Sequence, residues 1–222
     1  MPVNIDSYKK ISEELASNNV TLVAVSKTKS TEEILELYHL GQRDFGENYV
    51  QELVGKYGQL PKDIRWHFIG HLQSNKVKLI APFISMIHSV DSFKLLKEIN
   101  KQALSNSRII DCLLQVYIAK EETKFGLSED EVKKILNEID DTQILRNISI
   151  KGFMGMASFT DNLQVVKQEF QFLKALYDQY SQSSHHSSLT ILSMGMSADY
   201  ELAIEEGSNM VRIGSLLFGK RN

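Results

Sequence analysis

The sequence has one cysteine, Cys112, in 222 residues. It cannot close an internal disulfide, and its place in the apolar run from Ile109 to Ile118 reads as a small buried hydrophobe, in a chain expected in the reducing cytoplasm. An excess of charge of either sign is also missing: 25 Lys and Arg face 28 Asp and Glu, a formal net charge of −3. That removes the counterion-release drive for nucleic acid and the polybasic patch for an anionic bilayer, so neither is an expected partner and small molecules lead. Long apolar runs are absent. Met1 to Lys10 lacks the apolar core of a secretory leader, and the richest stretch, Leu79 to Ile87, is short and broken by Pro82, so no targeting or membrane-spanning segment is expected. Linker-like stretches are missing too, and residues 1–222 are expected to form one domain. What is plentiful is apolar side chain: 42% of the residues are hydrophobic, which excludes disorder and suffices for a sizeable core.

Short apolar, β-rich runs alternate with longer segments of helical spacing. The pattern predicts strands from Thr21 to Val25, Asp44 to Phe45, Trp66 to Ile69, Met86 to Ser89, Ile109 to Ile118, Ile148 to Gly152, Thr190 to Leu192 and Met210 to Ile213. Between them, Ser30-x-x-Glu33 and Ser128-x-x-Glu131 have capping-box spacing ahead of apolar stripes. Leu163, Val166, Phe170, Leu173 and Tyr177 fall on one face of a helix. From Thr21 to Met210 the repeat averages 27 residues, a minimal strand, loop and helix. Eight such units predict an α/β fold of the (β/α)₈ TIM-barrel type. The competitor, a doubly wound open sheet, usually carries a glycine-rich turn after its first strand when it binds nucleotides. Here that turn is Ser26-Lys27-Thr28-Lys29-Ser30, without a glycine. The one low-complexity stretch, Ser181 to Ser188, reads as a solvated loop on the face away from the active-site end.

In such a barrel, reactive groups sit at the C-terminal ends of the strands. The first strand leads to Lys27, whose amine is a candidate to attack a carbonyl and form a Schiff base; a solvated loop lysine is the plainer alternative. The last strand ends in Val211-Arg212-Ile213-Gly214-Ser215. Gly214 and Ser215 offer backbone N–H groups and a hydroxyl where barrels often hold a phosphate. Ser193-Met194-Gly195-Met196-Ser197, after the seventh strand, offers more of the same, although Gly195 and Gly214 also fit as plain turn residues. A phosphate seat on one side of the mouth and a Schiff-base lysine on the other suit pyridoxal 5′-phosphate (PLP). Arg212 alternates with Val211 and Ile213 and points either toward the helices or into the barrel, where a pyridine nitrogen or a carboxylate would partner it. Asn48 lies at the mouth after the second strand. Met154 and Met156 end the sixth, where they either pack on a flat ring or fill the core. His67 and His71 have a spacing that suits a metal only on a helix, and their segment begins as a strand, so no metal is expected.

Seven motifs occur in order: Val-Ala-Val-Ser-Lys27-Thr-Lys, Phe-Gly-Glu-Asn48-Tyr-Val-Gln-Glu52, Trp-His-Phe-Ile-Gly-His71-Leu-Gln-Ser-Asn75-Lys76, His-Ser-Val-Asp91, Gly152-Phe-Met-Gly-Met, Leu-Ser193-Met-Gly-Met-Ser-Ala-Asp199 and Val-Arg212-Ile-Gly214-Ser215-Leu-Leu-Phe-Gly219. Together they resemble the pyridoxal phosphate homeostasis protein family, over the chain from Val23 to Gly219. The resemblance implies a PLP barrel of fold type III, like the N-terminal domain of alanine racemase, with Lys27 as the internal aldimine. It further implies that Arg212 faces the pyridine nitrogen, that Ser193, Gly214 and Ser215 hold the phosphate, and that Asn48 lies near the ring. It also implies a regulator of PLP and amino-acid homeostasis without established catalysis.

Three functions compete. The first is a non-catalytic PLP protein, a monomer that holds the cofactor and delivers it to apo PLP-dependent enzymes. The second is an amino-acid racemase, which needs an acid or base on each face of the substrate α-carbon. Lys27 supplies one. The racemases it resembles take the other from a second domain, which the sequence ending at Asn222 is expected to lack. The third is a Schiff-base aldolase using the same lysine and phosphate seat without a cofactor.

Overall fold

The computed structural model describes residues 3–119, 125–142, 145–182 and 189–219. Among them are eight parallel strands: β1 Thr21–Val25, β2 Asp44–Glu47, β3 Arg65–Phe68, β4 Met86–Val90, β5 Ile110–Gln115, β6 Ile148–Met154, β7 Ile191–Met196 and β8 Met210–Ile213. They follow one another in chain order around a closed barrel, with β1 paired to β8 through Val23 opposite Arg212 and Ala24 opposite Ile213. The helices are α1 Ile5–Ser17, α2 Thr31–His39, α3 Val50–Gln59, α4 Val77–Ile80, α5 Phe93–Ser105, α6 Glu129–Thr142, α7 Leu163–Ser181, α8 Tyr200–Glu205 and α9 Ser215–Phe218. The (β/α)₈ expectation therefore holds and the open sheet is excluded. Among the described residues, no helix is long and apolar enough to cross a membrane.

Local sequence accounts for most of these boundaries. Both expected capping boxes form: Ser30 Oγ accepts from Glu33 N at 3.3 Å while Ser30 N donates to Glu33 Oε2 at 2.9 Å, and Ser128 and Glu131 repeat the exchange at 3.3 and 2.8 Å. On α7 the buried stripe starts at Val166 and runs through Phe170 and Leu173, whereas Leu163, the first residue of the helix, is exposed. The fifth strand stops at Gln115, three residues short of the apolar run, because the backbone beyond it turns to another neighbour. Tyr117 N donates to Leu127 O, and Val116 bridges to Leu127. The seventh strand runs on to Met196, past the expected end at Leu192. Ser193, Met194 and Gly195 have weak strand propensity, but Ser193 is paired to both β6 and β8 and Met196 to β8, which carries the strand across an irregularity where Gly195 takes φ +95°. Helix α1 precedes the first expected unit and is tied to the far end of the chain by Asn4 N donating to Leu217 O at 2.8 Å. Residues 183–188 of the low-complexity loop lie outside the described residues.

Two apolar clusters divide the core. The larger lies between strands and helices and includes Phe45, Trp66, Phe68, Phe153, Phe170 and Phe218, all with no exposed surface. The smaller consists of Val23, Met86, Leu113, Met154 and Met210. These alternate with the helix-facing residues of their strands, so they line the barrel interior. The same face carries polar groups. Val23 is level with Arg212, and Met86 with His67.

Candidate functional site

Lys27 follows β1 after one buried residue, Ser26, and is itself half-buried. Both peptide groups beside it are held by a cluster from β2 and α3. Lys56 Nζ donates to Ser26 O at 2.7 Å, to Glu47 Oε1 at 2.7 Å and to Glu52 Oε1 at 2.6 Å, which uses all three ammonium hydrogens. Glu52 Oε1 also accepts from Thr28 N at 2.6 Å, and Ser26 Oγ donates to Glu47 Oε1 at 2.6 Å. Glu47 has no exposed surface, and burial pushes its carboxyl up against the opposing pull of Lys56. Thr28 has φ +64°, a left-handed conformation unusual for a β-branched residue. The Glu52 contact sustains that backbone and so fixes the direction in which Lys27 leaves the strand. Lys29 is differently employed: its Nζ donates to Phe218 O at 2.8 Å and lies 3.5 Å from Glu33 Oε1.

Arg212 points into the barrel. Nη1 donates to Ser193 O at 2.9 Å and to Ser193 Oγ at 2.7 Å, and Nη2 to Gly155 O at 2.9 Å. A guanidinium has five N–H bonds. The two others, on Nε and Nη2, find no acceptor among the described residues. Burial lowers Arg212 to about 10 against the charge of Asp199, which leaves it cationic at neutral pH. Of the groups expected on the phosphate, Ser193 is thus engaged by Arg212, inside the barrel. The hydroxyl on the β8 turn belongs to Ser197, whose Oγ accepts from Gly214 N at 3.2 Å. Ser197 also lines a cleft of about 580 Å³ together with Leu216 and Tyr200. Gly214 packs closely on β1: a Cβ there would lie 3.3 Å from both Val25 O and Val25 Cβ. The N–H groups of Ser215 and Leu216, which open α9, find no acceptor among the described residues.

Asn48 follows β2, and its Oδ1 is buried without a hydrogen-bond partner among the described residues. Its backbone is crossed by Gly70, where a Cβ would sit 2.3 Å from Asn48 O, so only glycine permits the two loop ends to approach this closely. Met154 is fully buried in the interior cluster, which Met156 flanks. The histidine pair separates: His67 Nε2 lies 3.0 Å from Asp44 Oδ1 inside, and His71 Nδ1 lies 3.2 Å from Asp91 Oδ2 outside. Cys112 is buried, and burial drives its thiol far above the usual range, as befits an inert packing residue.

Barrel closure makes one site of these parts. Asn48, Lys27, the Arg212–Ser215 turn and the Ser193–Ser197 segment end β2, β1, β8 and β7, four consecutive strands of the rim. Strand ends that carry an amine, a guanidinium, an amide and a cluster of N–H and hydroxyl groups therefore lie along one arc of the barrel, from positions up to 188 residues apart in sequence. Such a set can hold a flat, anionic carbonyl compound. Ser197 was expected only as one of the five residues after the seventh strand, and the Lys56–Glu47–Glu52 cluster was not singled out by sequence reasoning. Lys56 did leave a signal: with Val50 and Leu53 it occupies the buried face of its helix.

Comparison with known proteins shows the family and the fold. The family model of the alanine racemase N-terminal domain matches residues 5–222. The chain is 42% identical over 205 residues to the pyridoxal phosphate homeostasis protein of Aquifex aeolicus, covering 92% of this chain and 88% of that one. PipY of Synechococcus elongatus PCC7942, solved with PLP bound, is 35% identical with a TM-score of 0.83, covering 94% of this chain and 100% of that one. Solved without PLP, it superposes with a TM-score of 0.90 at 33% identity, covering 96% and 99%. Alanine racemase of Clostridium difficile 630 shares the fold, with a TM-score of 0.74 at 14% identity; this chain is covered completely but spans only 59% of that one.

Proposed function

The chain belongs to the family of the alanine racemase N-terminal domain and, within it, to the pyridoxal phosphate homeostasis proteins; from this premise we propose that it binds PLP at the rim of β1, β2, β7 and β8. The observation that supports the reading is the closure of β1 on β8, whose register pairs Ala24 with Ile213, so that the chain leaves both strands, toward Lys27 and toward Gly214–Ser215, at the same edge of the barrel. PLP supplies an aldehyde that condenses with a primary amine, a ring nitrogen that accepts a hydrogen bond, and a phosphate. The residues fit each part. Lys27 is the amine, held as a Schiff base. The Nε and Nη2 hydrogens of Arg212 would serve the ring nitrogen, and Asn48, with its unpaired Oδ1, and Met154 would hold the ring. Ser215, with Ser197 and the N–H groups that open α9, receives the phosphate. Ser193 serves this end of the site through Arg212.

The role is storage and delivery of PLP in the cytoplasm, in PLP and amino-acid homeostasis, by a monomer whose recipients are apo PLP-dependent enzymes. Arg212 stays protonated and only donates, so a ring nitrogen against it remains unprotonated and is a weak electron sink. That disfavours transamination and decarboxylation. Adding PLP to the purified protein should give a visible absorption band that survives desalting; a colourless protein after desalting would refute PLP binding. The loaded protein, incubated with L- and D-amino acids in deuterated water, should show negligible α-proton exchange. Exchange and racemisation at about 1–10³ s⁻¹, lost in Lys27→Ala, would instead make it a racemase.

The phosphate seat has its own expected result. Gly214→Val puts bulk against Val25 and at the approach to the phosphate, whereas Ser215→Ala deletes one hydrogen bond worth about 0.5–3 kcal/mol. Dialysis titration should show the larger loss of PLP affinity for Gly214→Val. Wild-type affinity in both variants would move the phosphate elsewhere.

A further inference from the structure

A line of buried polar side chains crosses the barrel interior from its lower edge to Arg212. Asp44 Oδ1 lies 3.0 Å from His67 Nε2, His67 Nδ1 lies 2.8 Å from His88 Nε2, His88 Nδ1 lies 3.4 Å from Ser193 Oγ, and Ser193 Oγ lies 2.7 Å from Arg212 Nη1. His88 and Ser193 have no exposed surface, and His67 has 3%. Only Asp44 approaches solvent, where Arg65 forks onto it. Burial raises the Asp44 carboxyl, but the His67 hydrogen bond and the Arg65 guanidinium outweigh that and hold it at about 2.

The two ends give the line a direction. A guanidinium can only donate and a carboxylate can only accept. With both imidazoles neutral, Arg212 donates to Ser193 Oγ, the Ser193 hydroxyl to His88 Nδ1, His88 Nε2–H to His67 Nδ1, and His67 Nε2–H to Asp44. Each ring is thereby confined to its Nε2–H tautomer. Burial, with the positive charge of Arg212 adding to it, holds His88 well below the usual imidazole range and therefore neutral. Apolar residues fill the neighbouring interior positions, so four polar groups in series are a costly way to fill space. What they accomplish is directional: Ser193 Oγ is required as an acceptor at one point, and Arg212 Nη1 is anchored there.

We propose that His88, with His67 and Asp44 behind it, is a positioning residue for Arg212, acting through Ser193 to aim the remaining guanidinium hydrogens at the ring-nitrogen end of the ligand. The ligand half of this proposal rests on the PLP reading; the direction of the chain does not. The first test is therefore made on PLP-free protein. Nitrogen-15 NMR at about pH 8.5 should find a proton on Nε2 and none on Nδ1 in both the His67 and the His88 ring. An Nδ1–H tautomer at His88, or a cationic His67, would overturn the chain whatever the protein binds.

The second test compares His88→Leu with His88→Gln, both checked for folding by thermal melts. Leucine cuts the chain. Glutamine keeps one acceptor for Ser193 and one donor for His67 at nearly the imidazole spacing. His88→Leu should weaken PLP binding by about tenfold or more and shift the visible band, since a charge-assisted contact is misaimed. His88→Gln should restore both band and affinity. Wild-type band and affinity in His88→Leu, or equal damage in His88→Gln, would refute positioning. Absence of PLP binding by the wild type would refute the PLP reading and leave the tautomer measurement as the judge of the chain.

Discussion

Lys27→Ala is expected to abolish covalent attachment of PLP completely while leaving the fold intact. Borohydride reduction of the loaded wild type, followed by peptide mapping, should find the cofactor on Lys27. In Lys27→Ala the band and the adduct should both vanish, with residual PLP held through its phosphate and ring contacts only. The competing amine closest in sequence, Lys29, is occupied by Phe218 O and Glu33 on the α9 side. The clamp itself should survive the substitution, because it acts on the peptide groups of Ser26 and Thr28. Trapping on Lys29 or Lys76 instead would break the assignment.

The largest stability effect is expected from Lys56→Met. Lys56 keeps 6% of its side chain exposed and Glu47 none, and their 2.7 Å contact is what compensates the buried carboxylate. Removing one member of such a pair costs about 3–5 kcal/mol, because the other charge is left buried alone. For a protein of this size each kcal/mol moves the melting temperature by roughly 2–4 °C, so a fall of about 6–20 °C should appear in a thermal scan. Lys56→Met also frees Ser26 O, so PLP affinity measured below the melt should fall as the Lys27 backbone loosens. The double variant Lys56→Met, Glu47→Gln should melt higher than Lys56→Met alone, since no buried charge then remains uncompensated. A single-variant loss below about 1 kcal/mol, or a double variant that melts lower still, would mean that the pair is solvated and the clamp is not electrostatic.

Much of this site was legible because a parallel barrel converts sequence into geometry by simple rules. Strand side chains alternate with a period of two, and functional groups gather at strand ends. Lys27, Asn48, Arg212, Gly214 and Ser215 stand at such ends, so their type and position sufficed to nominate them. The resemblance supplied the ring and phosphate roles. Ser193 and Ser197 are instructive: five residues of one segment carry both, spacing gave no ground for choosing between them, and the resemblance chose Ser193 for the phosphate. Between Ser193 and Met196 the β7–β8 register slips, three residues on one strand matching two on the other from Met210 to Arg212. One residue of slip exchanges the faces of a strand. It separates a serine engaged by Arg212 in the interior from a serine on the β8 turn.

By itself the sequence determined the repeat of strand and helix, the capped helix starts, the apolar stripes and the chemistry at the strand ends, since each depends on spacing within a few residues. Tertiary structure alone decided the rest. Closure of β1 onto β8 pairs Ala24 with Ile213 and so makes neighbours of the strand ends that lead to Lys27 and to Ser215, and no local pattern encodes a pairing over that separation. Lys56 reaches Ser26 from a helix 30 residues on, and His67, His88 and Ser193 meet only where three strands tilt toward one interior. Such contacts depend on the stagger of the closed barrel, a property of all eight strands together, and so become visible only once the sheet has shut.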